Sequence, residues 1–574
     1  MASGLDKLGI PGGEDLREAL TNCSDPLAAI EEFQNENGIL LPSLKPALPF
    51  LDLHGIKRLE FHTSILDQMI DKLTNRIKTL ASDGGNDKFD KLESLLEKSF
   101  PVIKIKTVRP VVLCILKHLP EIKPDYLKII LEDPELYAEA ATEVKRQIWQ
   151  DNQSLFGDEV SPLLSQYIRE KDSSLLNHEN STLTFYTPIP KNRRQGEVVQ
   201  KLVHMIGKNV KLYDMVLQFL RTLFLRTRNN HYCTLRAEIL MAIHDLEINE
   251  ICSVDPCHKF TWCVDACIRE RIVNANRARE LQGFLDGIKK GQEFVLGDLS
   301  MILCDPFALN TISLSTMKVL QHCVNTDTLP RENIDLQLLI RMMALGLGAW
   351  SMIDSQCFKE PKLDISLFTK FIPMIVGMIV DDQIRSTAAR ISEEFNPTAV
   401  PVRLPSELYA EYIIDSPIAS LIAMYYSLQA LRIKDRVAAC QIIPTLMHCE
   451  NDRAYDDTFL HPFVSYLIQM PEDFSHNDFT SVILDDFLMP AISRETVLRH
   501  LLRVLWYVHH KITSTRLENV MTAAQPSEEH SETARNLYQQ LSVKISTHTP
   551  SPVTPQQQLD SPLMSVPAPT PAPP

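Results

Sequence analysis

The sequence predicts an all-α protein: an irregular helical bundle that continues into an α-solenoid. Three observations point there. Glycine is scarce, at 18 of 574 residues, which disfavours turn-rich β architecture and nucleotide-binding loops. Apolar residues recur at helical spacing over many windows, and no comparable run alternates with period two. Helix-start punctuation also recurs. Asp25-Pro26, Asp133-Pro134, Asp255-Pro256 and Asp305-Pro306 each precede an apolar-periodic run. Aspartate accepts hydrogen bonds from the free amides of a first turn, and proline fits the first helical position. Ser161-Pro162 and Ser416-Pro417 repeat the logic.

In chain order, helices are predicted over 14–34, 59–80, 88–99, 108–118, 124–132, 134–154, 161–171, 196–228, 231–246, 256–273 and 275–289. They continue over 312–324, 334–353, 364–380, 406–414, 417–431, 434–448, 455–468, 494–510 and 527–545. Breaks fall at 81–88, 172–194 and 386–405. These divide the chain into a helical N-terminal and central region (1–385), a connector (386–405), a C-terminal helical region (406–545) and a tail (546–574). The tail, rich in proline with Asp560 as its one charge, cannot bury enough apolar area to offset ordering and is expected to be disordered. Its Thr549-Pro550, Ser551-Pro552, Thr554-Pro555, Ser561-Pro562 and Thr570-Pro571 steps suit proline-directed kinases, while composition alone favours a passive tail.

The opening residues lack a basic patch followed by an apolar run, so no secretory signal is expected. The richest apolar run, 371–380, is short and ends at Asp381 and Asp382, so no membrane span is expected. The 12 cysteines are expected to be reduced thiols. Net charge is −15, yet residues 189–236 carry ten Lys/Arg against Glu197 and Asp214. Acidic ends around a basic centre suggest different partners along the chain.

Two patterns invite a chemical reading. Cys252, Cys257, His258, Cys263 and Cys267 crowd one stretch and offer soft zinc ligands. Phe260, Cys263, Val264, Cys267 and Ile268, however, follow the spacing of a buried helical stripe, with Asp255 and Pro256 opening the helix. Packing is therefore the expected role of these sulfurs, with a zinc-dependent binding module as the alternative. No phosphate-binding loop, H-E-x-x-H or G-x-S-x-G string occurs, so no catalytic residue and no cofactor is expected.

The second pattern is the segment 207–228. Leu212, Tyr213, Val216, Phe219, Leu220, Leu223 and Phe224 share one helical side, while Lys208, Lys211, Arg221, Arg226 and Arg228 lie on the other. With Arg193 and Arg194 upstream, this row suits phosphate or an acidic partner. The competing reading is a solvated face, or one paired with acidic neighbours.

Long runs go further than spacing. "EVKRQIWQDNQSLFGDEVSPLL" (143–164), "RRQGEVVQKLVHMIGKNVKLYDMVLQFLRTLFLRTRNNHYCTLRAE" (193–238) and "RARELQGFLDGIKKGQEFVLGDLSMILCDPFALNT" (277–311) resemble the B-subunit family of the negative elongation factor complex. That family is also described as a cofactor of the breast-cancer susceptibility protein. The resemblance is dense over 14–365. It implies a nuclear, non-enzymatic, HEAT-like scaffold that bridges the C/D subunit and the RNA-binding E subunit, with the A subunit in the same complex. It implies action with a second pausing factor, to hold RNA polymerase II near promoters. No residue-level contact set is carried over from it.

Overall fold

The computed structural model describes residues 58–391, apart from Asn86 and most of 177–192, and residues 406–548, with Ala28 and Glu32 as isolated positions. The helix expected over 14–34, most of the expected connector and nearly all of the proline-rich tail lie outside them. Every regular element among the described residues is helical.

The chain divides into two units. The first gathers the described residues up to Tyr167 with Arg194–Thr222 and Ala242–Asp255; the second gathers Ile168–Arg193, Leu223–Met241 and the residues from Pro256 onward.

The core of the first unit is built from helical stripes. Leu92 and Leu96 of Lys88–Ser99 meet Val112, Ile115 and Leu116 of Arg109–His118, with Val144 and Ile148 of Thr142–Trp149. Burying each such side chain stabilises by roughly 1.5–3 kcal/mol. Arg109 is buried with them; its Nε donates to the Ile103 carbonyl at 3.1 Å and its Nη1 to Glu139 at 2.9 Å. The helix Pro134–Glu139 starts as predicted, Asp133 accepting from the amides of Glu135 and Leu136.

Other predicted boundaries shift. The expected helix 134–154 breaks at Ala140, whose φ/ψ is −62/137, before Thr142–Trp149 begins. Ser161-Pro162 starts nothing: Pro162 sits inside the helix Gln153–Leu176. A proline in mid-helix removes one ladder bond. Phe156, Val160, Leu164 and Tyr167 are buried on both sides of it and hold the helix through the defect. The expected helix 196–228 divides at Gly207, which takes φ +57.

In the second unit successive helices pack on one another, the local habit of a solenoid. His258–Glu270 lies against Ala275–Asp286 and Pro306–Thr326, and Ile334–Ser355 against Phe294–Leu303 and Pro306–Thr326. Pro417–Arg432 meets Pro306–Thr326, Ile334–Ser355 and Asp457–Leu467, which meets Glu495–Val508, which meets Glu532–His548. Pro306–Thr326 and Pro417–Arg432 carry the predicted caps: Asp305 accepts from Phe307 N at 3.1 Å, and Ser416 from Ala419 N at 3.2 Å. Ile334–Ser355 is long and apolar enough to cross a membrane, but 67% of its apolar window is buried. Its Arg341 instead bridges Asp286 and Glu360. A Cβ on its Gly346 would stand 2.7 Å from the Leu303 carbonyl oxygen, so glycine permits the close approach to Phe294–Leu303. The helix Ile372–Ile391 takes in the start of the expected connector, and Glu532–His548 runs just past the expected start of the tail.

Candidate interaction surface

The basic helix spans Val210–Thr227. Asn209 sets its start: Oδ1 accepts from Leu212 N at 3.1 Å, and Nδ2 donates to Gln150 at 3.0 Å. Of the predicted apolar side, Leu212, Tyr213, Val216, Leu220 and Phe224 are buried, and Phe219 and Leu223 are half-buried.

The predicted cation row meets varied surroundings. In the first unit, Arg194 Nε lies 3.0 Å from Asp245, Lys208 3.1 Å from Glu250, and Lys211 3.0 Å from Asp151. Lys208 and Lys211 remain exposed within these pairs, and Arg221 is half-buried. In the second unit, Arg193 is almost fully buried. Its Nη2 lies 3.5 Å from Asp305, its Nε 3.8 Å from Glu238, and its guanidinium 4.2 Å from the Phe307 ring centroid. Arg226 is exposed and forms no ion pair among the described residues.

Arg228 belongs to a feature that sequence reasoning missed. Its guanidinium lies 3.9 Å from the Trp350 ring centroid, and the Trp350 indole N–H donates to the Leu225 carbonyl at 3.1 Å. Both side chains line a cleft of about 1110 Å³ in the second unit, where six carboxylates face four cations. Arg228, Asn451 and Asp452, all lining it, take φ of 54, 54 and 55. Non-glycine residues adopt that conformation at a cost of about 1–2 kcal/mol each. Asp452 is further fixed by Arg494, 2.7 Å away. A wide, open, charge-mixed groove with a half-exposed tryptophan suits a polypeptide segment better than a small apolar ligand.

The cysteine cluster resolves differently. The helix begins at His258, later than predicted, and Asp255 of the first unit accepts a 2.6 Å hydrogen bond from Tyr213 Oη. Cys257, Cys263 and Cys267 are buried in the core of the second unit with Phe260, Val264 and Leu281. Cys263 Sγ lies 3.4 Å from Glu280 Oε2. Its hydrogen bond with Cys267, together with burial, pushes the Cys267 thiol far above the usual thiol range. A thiol that reacts as a free nucleophile needs the opposite shift. Cys252 belongs to the first unit and is half-buried, as is His258 in the second.

Comparison with known proteins adds an independent line. Residues 106–448 match the family model described as Cofactor of BRCA1 (COBRA1). The chain is 55% identical to negative elongation factor B of Drosophila melanogaster over 99% of its own length and 97% of that protein. It is 54% identical to the Mus musculus protein of that name over 99% of this chain and all of the relative, and 53% identical to the Homo sapiens protein over the whole of both.

Proposed function

Because the chain belongs to the Cofactor of BRCA1 (COBRA1) family, that of negative elongation factor B, we propose that it is a non-enzymatic scaffold subunit of the negative elongation factor complex. In this reading it works in the nucleus, bridges the C/D and E subunits, and helps hold RNA polymerase II in promoter-proximal pausing with a second pausing factor. The observation that carries the reading is the span of the identity, which covers 97–100% of the relatives' own lengths. Helix-on-helix packing and a broad open cleft support adhesion as the mode of action. In the first unit, contact with nucleic acid or an acidic partner falls to Lys208 and Lys211, which stay exposed although paired with Glu250 and Asp151.

The test is affinity purification of the tagged full chain from nuclear extract. Stoichiometric recovery of the C/D and E subunits is expected. Recovery of the chain without either would contradict the reading.

A further inference from the structure

A smaller hollow lies elsewhere in the second unit, about 220 Å³ in volume. Its interior is apolar: Phe307, Tyr425 and Leu428 line it and are nearly fully buried. Two of the phenol groups there already have partners. Tyr425 Oη donates to Asn310 at 3.0 Å, and Tyr186 Oη to the Thr458 carbonyl at 2.9 Å. Tyr186 meets Phe307 edge to face, 5.5 Å between centroids. The interior therefore offers hydrocarbon and ring edges and asks for no polar group.

The mouth has one sign. Arg271, Lys318 and Arg432 line it with exposed side chains, and no carboxylate is among the described lining residues. None of the three cations forms an ion pair among the described residues. Elsewhere in the same unit arginines do find carboxylates, as Arg341, Arg385 and Arg499 do. Arg271 adds a second signal. It is the left-handed C-cap of His258–Glu270, with φ 56 and ψ 29, its N–H donating to Cys267 and Ile268. That position favours glycine. An arginine there carries strain that packing does not repay, since its side chain is exposed at the mouth.

Volume and charge together select the occupant. Small-molecule pockets hold roughly 300–1,000 Å³, whereas about 220 Å³ suits one large side chain acting as an anchor. RNA is disfavoured, because base stacking needs presented ring faces and Phe307 and Tyr425 are only 4% and 6% exposed. We propose that this hollow is a docking site for an acidic peptide segment of a partner protein. One leucine- or phenylalanine-sized side chain enters beside Phe307 and Leu428, and flanking carboxylates meet Arg271, Lys318 and Arg432.

The experiment is selection of a displayed random-peptide library against the full chain, followed by fluorescence anisotropy of the enriched peptides. Enriched peptides are expected to carry one large apolar residue among Asp and Glu. The R271E/K318E/R432E variant should weaken them at least tenfold and should gain affinity for versions with lysine in place of the acids. R271Q/K318Q/R432Q gives the same readout without charge reversal, and Leu314→Trp should block entry sterically while leaving the cations in place. Enrichment without acidic bias, no enrichment, or affinity indifferent to these substitutions would overturn the proposal. So would displacement of the selection by binding of oligouridylate at the same residues. The selection needs no sister subunit, so its failure leaves the complex-subunit reading intact.

Discussion

Arg193 Nη2 lies 3.5 Å from Asp305 Oδ2 with both side chains almost fully buried, and Asp305 Oδ1 also accepts from Thr234 Oγ1 at 2.8 Å. The first arginine of the predicted basic row is thus a core residue. Removing one member of a buried pair leaves the other charge uncompensated, at about 3–5 kcal/mol. Arg193→Ala should lower the urea midpoint of the full chain by an amount of that order. A midpoint within error of wild type would show the pair to be dispensable.

Gly207 and Arg146 set the break before the basic helix. Arg146 Nε donates to the Met205 carbonyl at 3.1 Å and Nη2 to His204, closing the end of Glu197–Ile206. A Cβ on Gly207 would stand 2.8 Å from the guanidinium, at a φ of +57 that side chains rarely adopt. Gly207→Ala should cost about 1–3 kcal/mol by thermal denaturation. Combined with Arg146→Ala it should cost less than the two single changes summed, because the clash and the strain share one site.

The buried histidines should lose their share of the stability on acidification. Burial holds His461 down to about 3 and lowers His500 as well, although the contact with Asp457 opposes it there. Unfolded histidines take up protons near pH 6.5 and these folded ones do so only lower. Their contribution is therefore whole above about 6.5 and declines below it, by about 1.4 kcal/mol per pH unit per ring. Burial of Asp457 is outweighed by the hydrogen bond and charge of His500 and by Arg499, which hold it below its usual value. Its share is lost at still lower pH, so both trends run the same way. Asp382 and Asp456, pushed up by burial to about 7 and about 6, gain stability over the same range, so the histidine share is read as the difference between His461→Leu and wild type, which should move in favour of the variant between pH 7.5 and 5.5. Parallel profiles for the two proteins would contradict the assignment.

The cysteines should behave as packing atoms. Cys267→Ser places a hydroxyl among Phe260, Val264 and Leu281, and should destabilise by about 1–3 kcal/mol. A zinc chelator should leave the melting temperature unchanged. A chelator-induced drop would restore the zinc reading.

What could be read in advance was local. The caps at Asp133, Asp305 and Ser416 form between neighbours in sequence, so three or four letters contain them. The failures are long-range. Nothing near Lys208 or Lys211 announces Glu250 or Asp151 as partners, and nothing near Arg193 announces Asp305. Pro162 misleads because Phe156 and Val160 on one side and Leu164 on the other outweigh one missing amide. The cleft left a faint trace: Asn451 and Asp452 are among the residues that best tolerate a left-handed conformation, and they mark its turn. Trp350, inside an apolar run, gave no sign that its ring would carry Arg228.

The most direct test of the central claim is acute depletion of the endogenous protein, with rescue by the full chain, read as engaged RNA polymerase II density just downstream of promoters relative to gene bodies. Depletion should lower the promoter-proximal share, and rescue should restore it together with co-recovery of the sister subunits. An unchanged polymerase profile after complete depletion would contradict a role as the scaffold of the pausing complex.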